Sequence, residues 1–382
     1  MSEWKEYRFS DFVHVNPSVK IPNEKLVPFI EMKDLTDGQR FCEPSQERLL
    51  SSGSRFENGD TLFARITPCL ENGKICQVKG LRNNIGFGST EFHVFRGKKN
   101  VSDSDFVYYL CRWMDVRDHA EKNFDGTSGR QRVPKQAFDD LFLNMPELHE
   151  QKNIASILSS LDDKIDLLHR QNATLEKMAE TLFRQWFVEE AKDVWESKSL
   201  SSIAVFLNGL ACQKFPPKND FEKLPVLKIK ELNSGITENS DWATTEVKPE
   251  YIVKNGDVIF AWSASLMVKI WDGQDCILNQ HLFKVTSDDY PKWFYFLWCK
   301  HHLDEFISKA ASHATTMGHI KRGDLDEALV IVPSEDELKE MTLTFQPILD
   351  KFISNNNQIR TLSALRDALL PKLMSGEVRV EV

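Results

Sequence analysis

The residues with the most chemistry to offer sit together in one polar loop, Thr127-Ser128-Gly129-Arg130-Gln131-Arg132. An arginine presents a planar fork that can bond guanine twice, and a glutamine matches adenine in the same way. Serine and threonine hydroxyls adapt to either base. A second polar set, Arg65-Ile66-Thr67, follows a strand-like run ending in Phe63-Ala64, and Lys74 closes the segment behind it. Farther along, Trp262-Ser263-Ala264 follows another Phe-Ala pair, and Ala314-Thr315-Thr316-Met317-Gly318-His319 runs on to Lys321. The plain alternative for each set is a solvated loop. In the first loop, two forks and an amide within six residues favour contact with base edges over simple solvation.

Other chemistries lack their parts. No GxGxxG or Walker sequence is present, so no nucleotide or S-adenosylmethionine loop is expected on this chain. Asn16-Pro17-Ser18-Val19 and Phe215-Pro216-Pro217-Lys218 only brush the pattern of amino-methyltransferases, and neither completes it. Glu31-Met32-Lys33 has a nuclease-like shape but no upstream aspartate on a strand, and its repeat counterpart is Lys228-Ile229-Lys230. His301, His302, His313 and His319 cluster without a Cys, Asp or Glu at zinc spacing, which reads as surface or nucleic-acid-contacting histidines rather than a metal site. The seven cysteines form no CxxC pair and read as thiols of a reducing cytoplasm. No catalytic and no metal residue is therefore assigned.

The element that must position these loops is the stretch from Pro146 to Phe187. Ile154, Leu158, Leu161, Ile165, Leu168, Asn172, Leu175, Ala179, Leu182 and Trp186 follow one another at steps of four and three, a heptad seam. At the helical rise this is a rod of roughly 50 Å, which needs a partner. The same spacing returns 187 residues later in Met341, Phe345, Ile348, Phe352, Asn355, Ile359, Leu362, Arg366, Leu369 and Leu373. Pro347 is expected to kink or start this second helix. Asn355 and Arg366 put polar groups in the seam, which costs stability and fixes register.

The rest of the chain repeats too. Asn58-Gly59-Asp60-Thr61-Leu62-Phe63-Ala64 returns as Asn255-Gly256-Asp257-Val258-Ile259-Phe260-Ala261, and Phe106–Leu110 returns as Trp293–Leu297. Strands are predicted at 26–32, 61–66, 75–78 and 92–95, and a helix from Asp105 to about Lys122. The Asn-Gly-Asp pieces read as tight turns only. The fold class is α+β, a tandem repeat of two globules joined by two long antiparallel helices that form an intramolecular coiled coil. The boundaries fall at 1–146 and 197–333 for the globules, and 147–196 and 334–382 for the helices. One helix leads out and the other returns, so the expected object is a ruler with a reading head at each end.

Charge constrains the partner. The total is −9, but residues 1–145 carry 21 basic and 21 acidic groups, and residues 197–333 carry 15 and 17. Most of the net negative charge, −7 of the −9, therefore falls on the helical segments, and the near-neutral globules can hold local basic patches. No run of eighteen apolar residues and no leader-like start is seen, so neither a membrane span nor export is expected.

The whole chain resembles the specificity subunit of type I restriction-modification systems. The resemblance is carried by Phe63-Ala64-Arg65-Ile66-Thr67-Pro68-Cys69-Leu70-Glu71-Asn72-Gly73-Lys74, the loop at 126–133, Glu150–Ala155 running into Leu161-Asp162-Asp163-Lys164-Ile165, and the closing Leu365–Glu377. It implies that each globule is a target recognition domain for one half of a split double-stranded DNA site. It implies that the helices set the gap and dock two methyltransferase subunits, with a separate motor-nuclease subunit completing the enzyme in the cytoplasm. S-adenosylmethionine, ATP and Mg would then belong to the partners, and this chain would be non-catalytic. The Glu-Gln-Lys of residues 150–152 becomes Glu337-Leu338-Lys339 in the second copy, a departure at the second docking surface. The rival reading, favoured by the negative charge, is a coiled-coil adaptor whose globules bind proteins.

Overall fold

A computed structural model of the chain describes residues 3–21, 25–127, 129–312 and 318–380. The chain divides into two compact units, residues 1–167 with 361–382, and residues 168–360.

In the first unit a five-stranded sheet runs in the order Val13–Val15, Phe92–Gly97, Thr61–Ala64, Ile75–Val78, Phe41–Cys42. A four-stranded sheet runs Gln46–Leu49, Leu26–Ile30, Ile85–Gly88, Ser54–Glu57. The strand Thr61–Ala64 is buried on both faces. Its period of two sends Phe63 into a core with Phe106 and Tyr109, and Leu62 into a second core with Ile30 and Phe56. That double burial explains why the strand reads as a continuous apolar run.

The second unit repeats the plan. One sheet runs Val205–Asn208, Leu282–Thr286, Val258–Ala261, Met267–Ile270, and the other Trp242–Thr244, Lys223–Leu227, Cys276–Leu278, Ile252–Val253. Phe260 and Ile259 divide between two cores as Phe63 and Leu62 do. The Asn-Gly-Asp turns match in detail. Gly59 and Gly256 both sit at φ +86°, and the Asp60 and Asp257 carboxylates accept from the backbone N–H of Glu57 (2.7 Å) and Lys254 (2.8 Å). These turns are structural. One difference is large: the connection after the Phe-Ala strand spans residues 65–74 in the first unit and 262–266 in the second.

The predicted helix over 105–122 is two helices, Ser104–Arg112 and Met114–Lys122, broken at Trp113, whose ψ is 137°. The long helices are Leu148–Arg184 and Glu335–Met374. Pro347 does not start the second one, which begins twelve residues earlier. The carbonyl left without a proline N–H partner is that of Leu343, a residue 78% exposed, so water can serve it.

Within each unit the two helices pair antiparallel. In the second, Asn355 Nδ2 donates to Asn172 Oδ1 at 2.9 Å, Asn172 Nδ2 donates to Asn356 Oδ1 at 2.6 Å, and Trp186 packs edge-on against Phe345. In the first, Arg366 and Asp162 form an ion pair at 2.7 Å, with side chains only 3% and 1% exposed. Of the expected seam residues, Leu158, Ile165 and Leu168 are buried, while Leu161, Leu175, Leu182, Ile348, Phe352, Ile359, Leu362 and Leu369 are half-buried. Asp162, not Leu161, occupies the interior, because the globule packs on the helix there and the Tyr109 hydroxyl donates to Asp162 at 2.7 Å.

The helix starts are welded to their own units. Gln151 Nε2 donates to the carbonyls of Val101 and Pro146, and its Oε1 accepts from Asp103 N–H. Glu150 takes Trp4 Nε1 and the Arg379 guanidinium, and Glu337 takes Trp195 Nε1 and Lys192 in the same manner. Those bonds, led by Lys192, hold the Glu337 carboxyl down at about 2. Glu150 and Gln151 of the Glu-Gln-Lys motif are therefore internal wiring while Lys152 is exposed, and Leu338 replaces the Gln151 bonds with packing.

Candidate nucleic-acid interface

The polar loop of the first unit is held at both ends by backbone bonds. Val133 N–H donates to Arg65 O at 2.8 Å, and Thr67 N–H donates to Gln131 O at 3.0 Å. Arg132 and Asp125 exchange two further backbone bonds, and Gly126 and Gly129 take the positive φ values the loop requires. The second unit repeats this pinning. Ile320 N–H donates to Trp262 O at 3.1 Å, and Ala264 N–H donates to Gly318 O at 2.9 Å. The bridges Ile66 with Arg132 and Ser263 with His319 stand at matching places. Two loops far apart in sequence are thus laid on the same strand end in each copy.

The side chains on this frame differ. Arg130 and Thr127 are exposed, Gln131 is half-buried, and Arg132 is exposed with its guanidinium on the Glu91 carboxylate. Arg65 is half-buried beside His93. In the second unit Trp262 takes the place of Arg65. Its ring stacks on Phe283 at 5.6 Å and its Nε1 donates to Asn208. His319 is exposed at the place of Arg132. Lys321 is exposed, and its backbone N–H caps the short helix Arg322–Glu327 through Asp324. One frame thus carries arginine, glutamine and glutamate in one copy, and tryptophan and histidine in the other.

Several expected contacts turn out to hold the frame instead. Thr67 is buried, and its Oγ1 accepts from Gln131 N–H at 3.2 Å. Lys74 Nζ donates to Met32 O at 2.8 Å, which ties down the long connection. Ser263 is buried against His281, 3.2 Å from Oγ to Nδ1. Ser128, Thr315, Thr316 and His313 lie outside the described residues. His301 is exposed, as a surface histidine should be, whereas His302 is half-buried and its Nε2 donates to Leu329 O at 2.9 Å. Glu31 bonds Gln46 and Arg48 and pairs with Lys33 at 3.0 Å, which makes it a surface ion cluster. Among the described residues no group of His, Cys, Asp or Glu could hold a metal ion.

His93 is the most perturbed titrating group near the loop. Burial pushes its pKa down to about 4, and its Nε2 donates to Val133 O at 2.8 Å. A neutral imidazole thus fastens the loop's exit to the sheet.

The family described as type I restriction modification DNA specificity domain matches the chain twice, over residues 1–177 and 192–363. The chain belongs to this family. The MjaIX specificity subunit of Methanocaldococcus jannaschii is 27% identical, covering 93% of this chain and 87% of that protein. The HindI specificity subunit of Haemophilus influenzae is 22% identical over 99% of this chain and all of its own length. The crystal structure of the S subunit from M. genitalium matches with a TM-score of 0.54 at 13% identity, over 97% of this chain and 96% of that one, which supports the fold. No helix among the described residues is long and apolar enough to cross a membrane.

The sequence reading missed a third loop at the same strand end. Ser89-Thr90-Glu91 joins two strands in the first unit, and Asn279-Gln280-His281 does so in the second. Glu91 O accepts from Arg65 N–H at 3.0 Å, and His281 O accepts from Trp262 N–H at 3.4 Å. Aligning the copies at an offset of 190, set by Phe92 and Leu282 at the starts of matching strands, would have exposed it.

Proposed function

We propose that each unit reads one half of a split duplex DNA target through the strand end that carries these loops. The observation behind this reading is the repeated backbone pinning of the loops together with the change of every side chain placed on it. A structural need would favour keeping the residues; two different half-sites require changing them. Arg132, Gln131 and Arg130 offer fork and amide groups to base edges in the first half-site, and Trp262, Gln280, His281 and His319 serve the second.

In this proposal the two long helices set the unread gap and dock two methyltransferase subunits, which supply S-adenosylmethionine and modify adenine. A motor-nuclease subunit brings ATP and Mg. This chain supplies recognition and no catalytic group, and it works in the cytoplasm where the DNA is.

The test is a methylation map of cells carrying the chain with Arg130 and Gln131 both changed to alanine, alongside its methyltransferase subunits. One half of the methylated motif should relax or change while the other half stays. Losing a good bidentate base contact costs about 1–3 kcal/mol at that position. An unchanged motif removes the loop from the interface, and an equal loss on all DNA assigns these residues to phosphates.

A further inference from the structure

We propose that Glu91 is a positioning residue for base recognition: it grips one edge of the Arg132 guanidinium and presents the remaining N–H groups to a guanine of the first half-site. This rests on the reading of the first unit's loops as base-reading.

The geometry is specific. Arg132 Nε donates to both Glu91 oxygens, at 3.0 and 2.9 Å, and Nη2 donates to Oε1 at 2.7 Å. Nη1 donates to the Arg130 carbonyl at 3.3 Å. A guanidinium has five N–H groups. These bonds leave one on each terminal nitrogen, and guanine offers two acceptors in the major groove, O6 and N7.

Both partners stand on rigid backbone. Glu91 lies in a three-residue connection between two strands, its N–H bonded to Ser89 Oγ and its carbonyl to Arg65 N–H. Arg132 is fixed by its two backbone bonds to Asp125. The arginine side chain is 44% exposed and the glutamate 23%, so the pair stands at the surface with the carboxylate beneath. An arginine held in its binding rotamer loses less conformational freedom when it meets a base.

Charge sharpens the argument. Glu91 cancels the charge of Arg132, so the pair adds little to phosphate attraction, which depends on net positive charge. Hydrogen bonds to neutral guanine acceptors need no net charge. The pair therefore favours specific over non-specific binding. The second unit has imidazoles at both places, His281 and His319, and so lacks this device.

The experiment uses the full chain assembled with its methyltransferase subunits. The probes are a duplex bearing the mapped motif, duplexes with each G·C pair of the first half-site replaced by A·T, and an unrelated duplex. Arg132→Ala should lower discrimination at one G·C pair by roughly tenfold or more. Glu91→Gln keeps the arginine yet should lower discrimination at that same pair to a similar degree. It should bind the unrelated duplex at least as tightly as the wild type, with a salt dependence steeper by about one counterion. Glu91→Asp should recover part of the discrimination. Discrimination at the second half-site serves as the folding control and should not change in any variant. If Arg132→Ala alters discrimination and Glu91→Gln does not, the positioning role is overturned while the reading of the loop stands. If neither variant alters discrimination at any pair, both are overturned.

Discussion

Replacing Arg366 by alanine should destabilise the first unit far more than a surface arginine would. Its guanidinium bonds Asp162 and the Gly38 carbonyl at 2.7 and 2.8 Å, and reaches Asp367 at 2.9 Å. Burial disfavours its charge, but Asp162 and Asp367 hold its pKa above the usual arginine value. Removing it leaves the Asp162 carboxylate buried, with the Tyr109 hydroxyl as its remaining hydrogen-bond partner among the described residues. Breaking one side of such a buried pair costs about 3–5 kcal/mol. The helix repeat supplies the control, because the equivalent places in the second unit hold Leu349 and Ala179. The double variant Asp162→Leu with Arg366→Ala removes both charges and should recover at least about half of the loss, since apolar replacement of a buried pair is often neutral. Calorimetry should show the first unit's transition lowered by roughly 10 °C in Arg366→Ala, at about 2–4 °C per kcal/mol for a unit of this size. A shift under about 3 °C, or a double variant less stable than the single one, would refute the reasoning.

His93 gives a pH test. Its folded pKa of about 4 lies below the ordinary 6.5, so the folded state binds fewer protons and loses stability as pH falls from 6.5 towards 4. By pH 5 the first unit should lose roughly 2 kcal/mol from this group alone. His93→Phe, which copies Phe283, should show a correspondingly shallower pH dependence, and equal slopes would contradict the assignment. The chain alone should bind its DNA modestly and with a shallow salt dependence, because the globules are near neutral. Affinity should rise when the methyltransferase subunits join, and equal affinities measured by anisotropy would count against shared phosphate contacts.

Much of this was legible in the sequence, for identifiable reasons. The Phe-Ala strands and the Asn-Gly-Asp turns recur at one offset, so local preference and repetition pointed the same way. The loop pairing followed from the second offset, and the bonds of Val133 and Ile320 agree with it. What stayed hidden depends on contacts between distant residues. Thr67 and Lys74 look like ligand-facing polar groups until their backbone partners are known. Glu91 carries no local signal, since its meaning comes from Arg132 forty-one residues away. Asp162 sits one place from a seam leucine, and only the globule packed on that helix explains its burial. Pro347 misled because propensity omits which carbonyl is released and whether water reaches it.

The helices and the two recognition units can be tested together in one measurement. Insert seven residues after Arg170 and seven after Asn357, which preserves the heptad register of both helices. At about 1.5 Å per residue the insertion adds roughly 10 Å of helix. That corresponds to about three base pairs at 3.4 Å each. The methylated motif of the variant, mapped in cells, should keep both half-sites and lengthen the unread gap by about three. Retained methylation with an unchanged gap would contradict the claim that the paired helices set the distance between two independent readers.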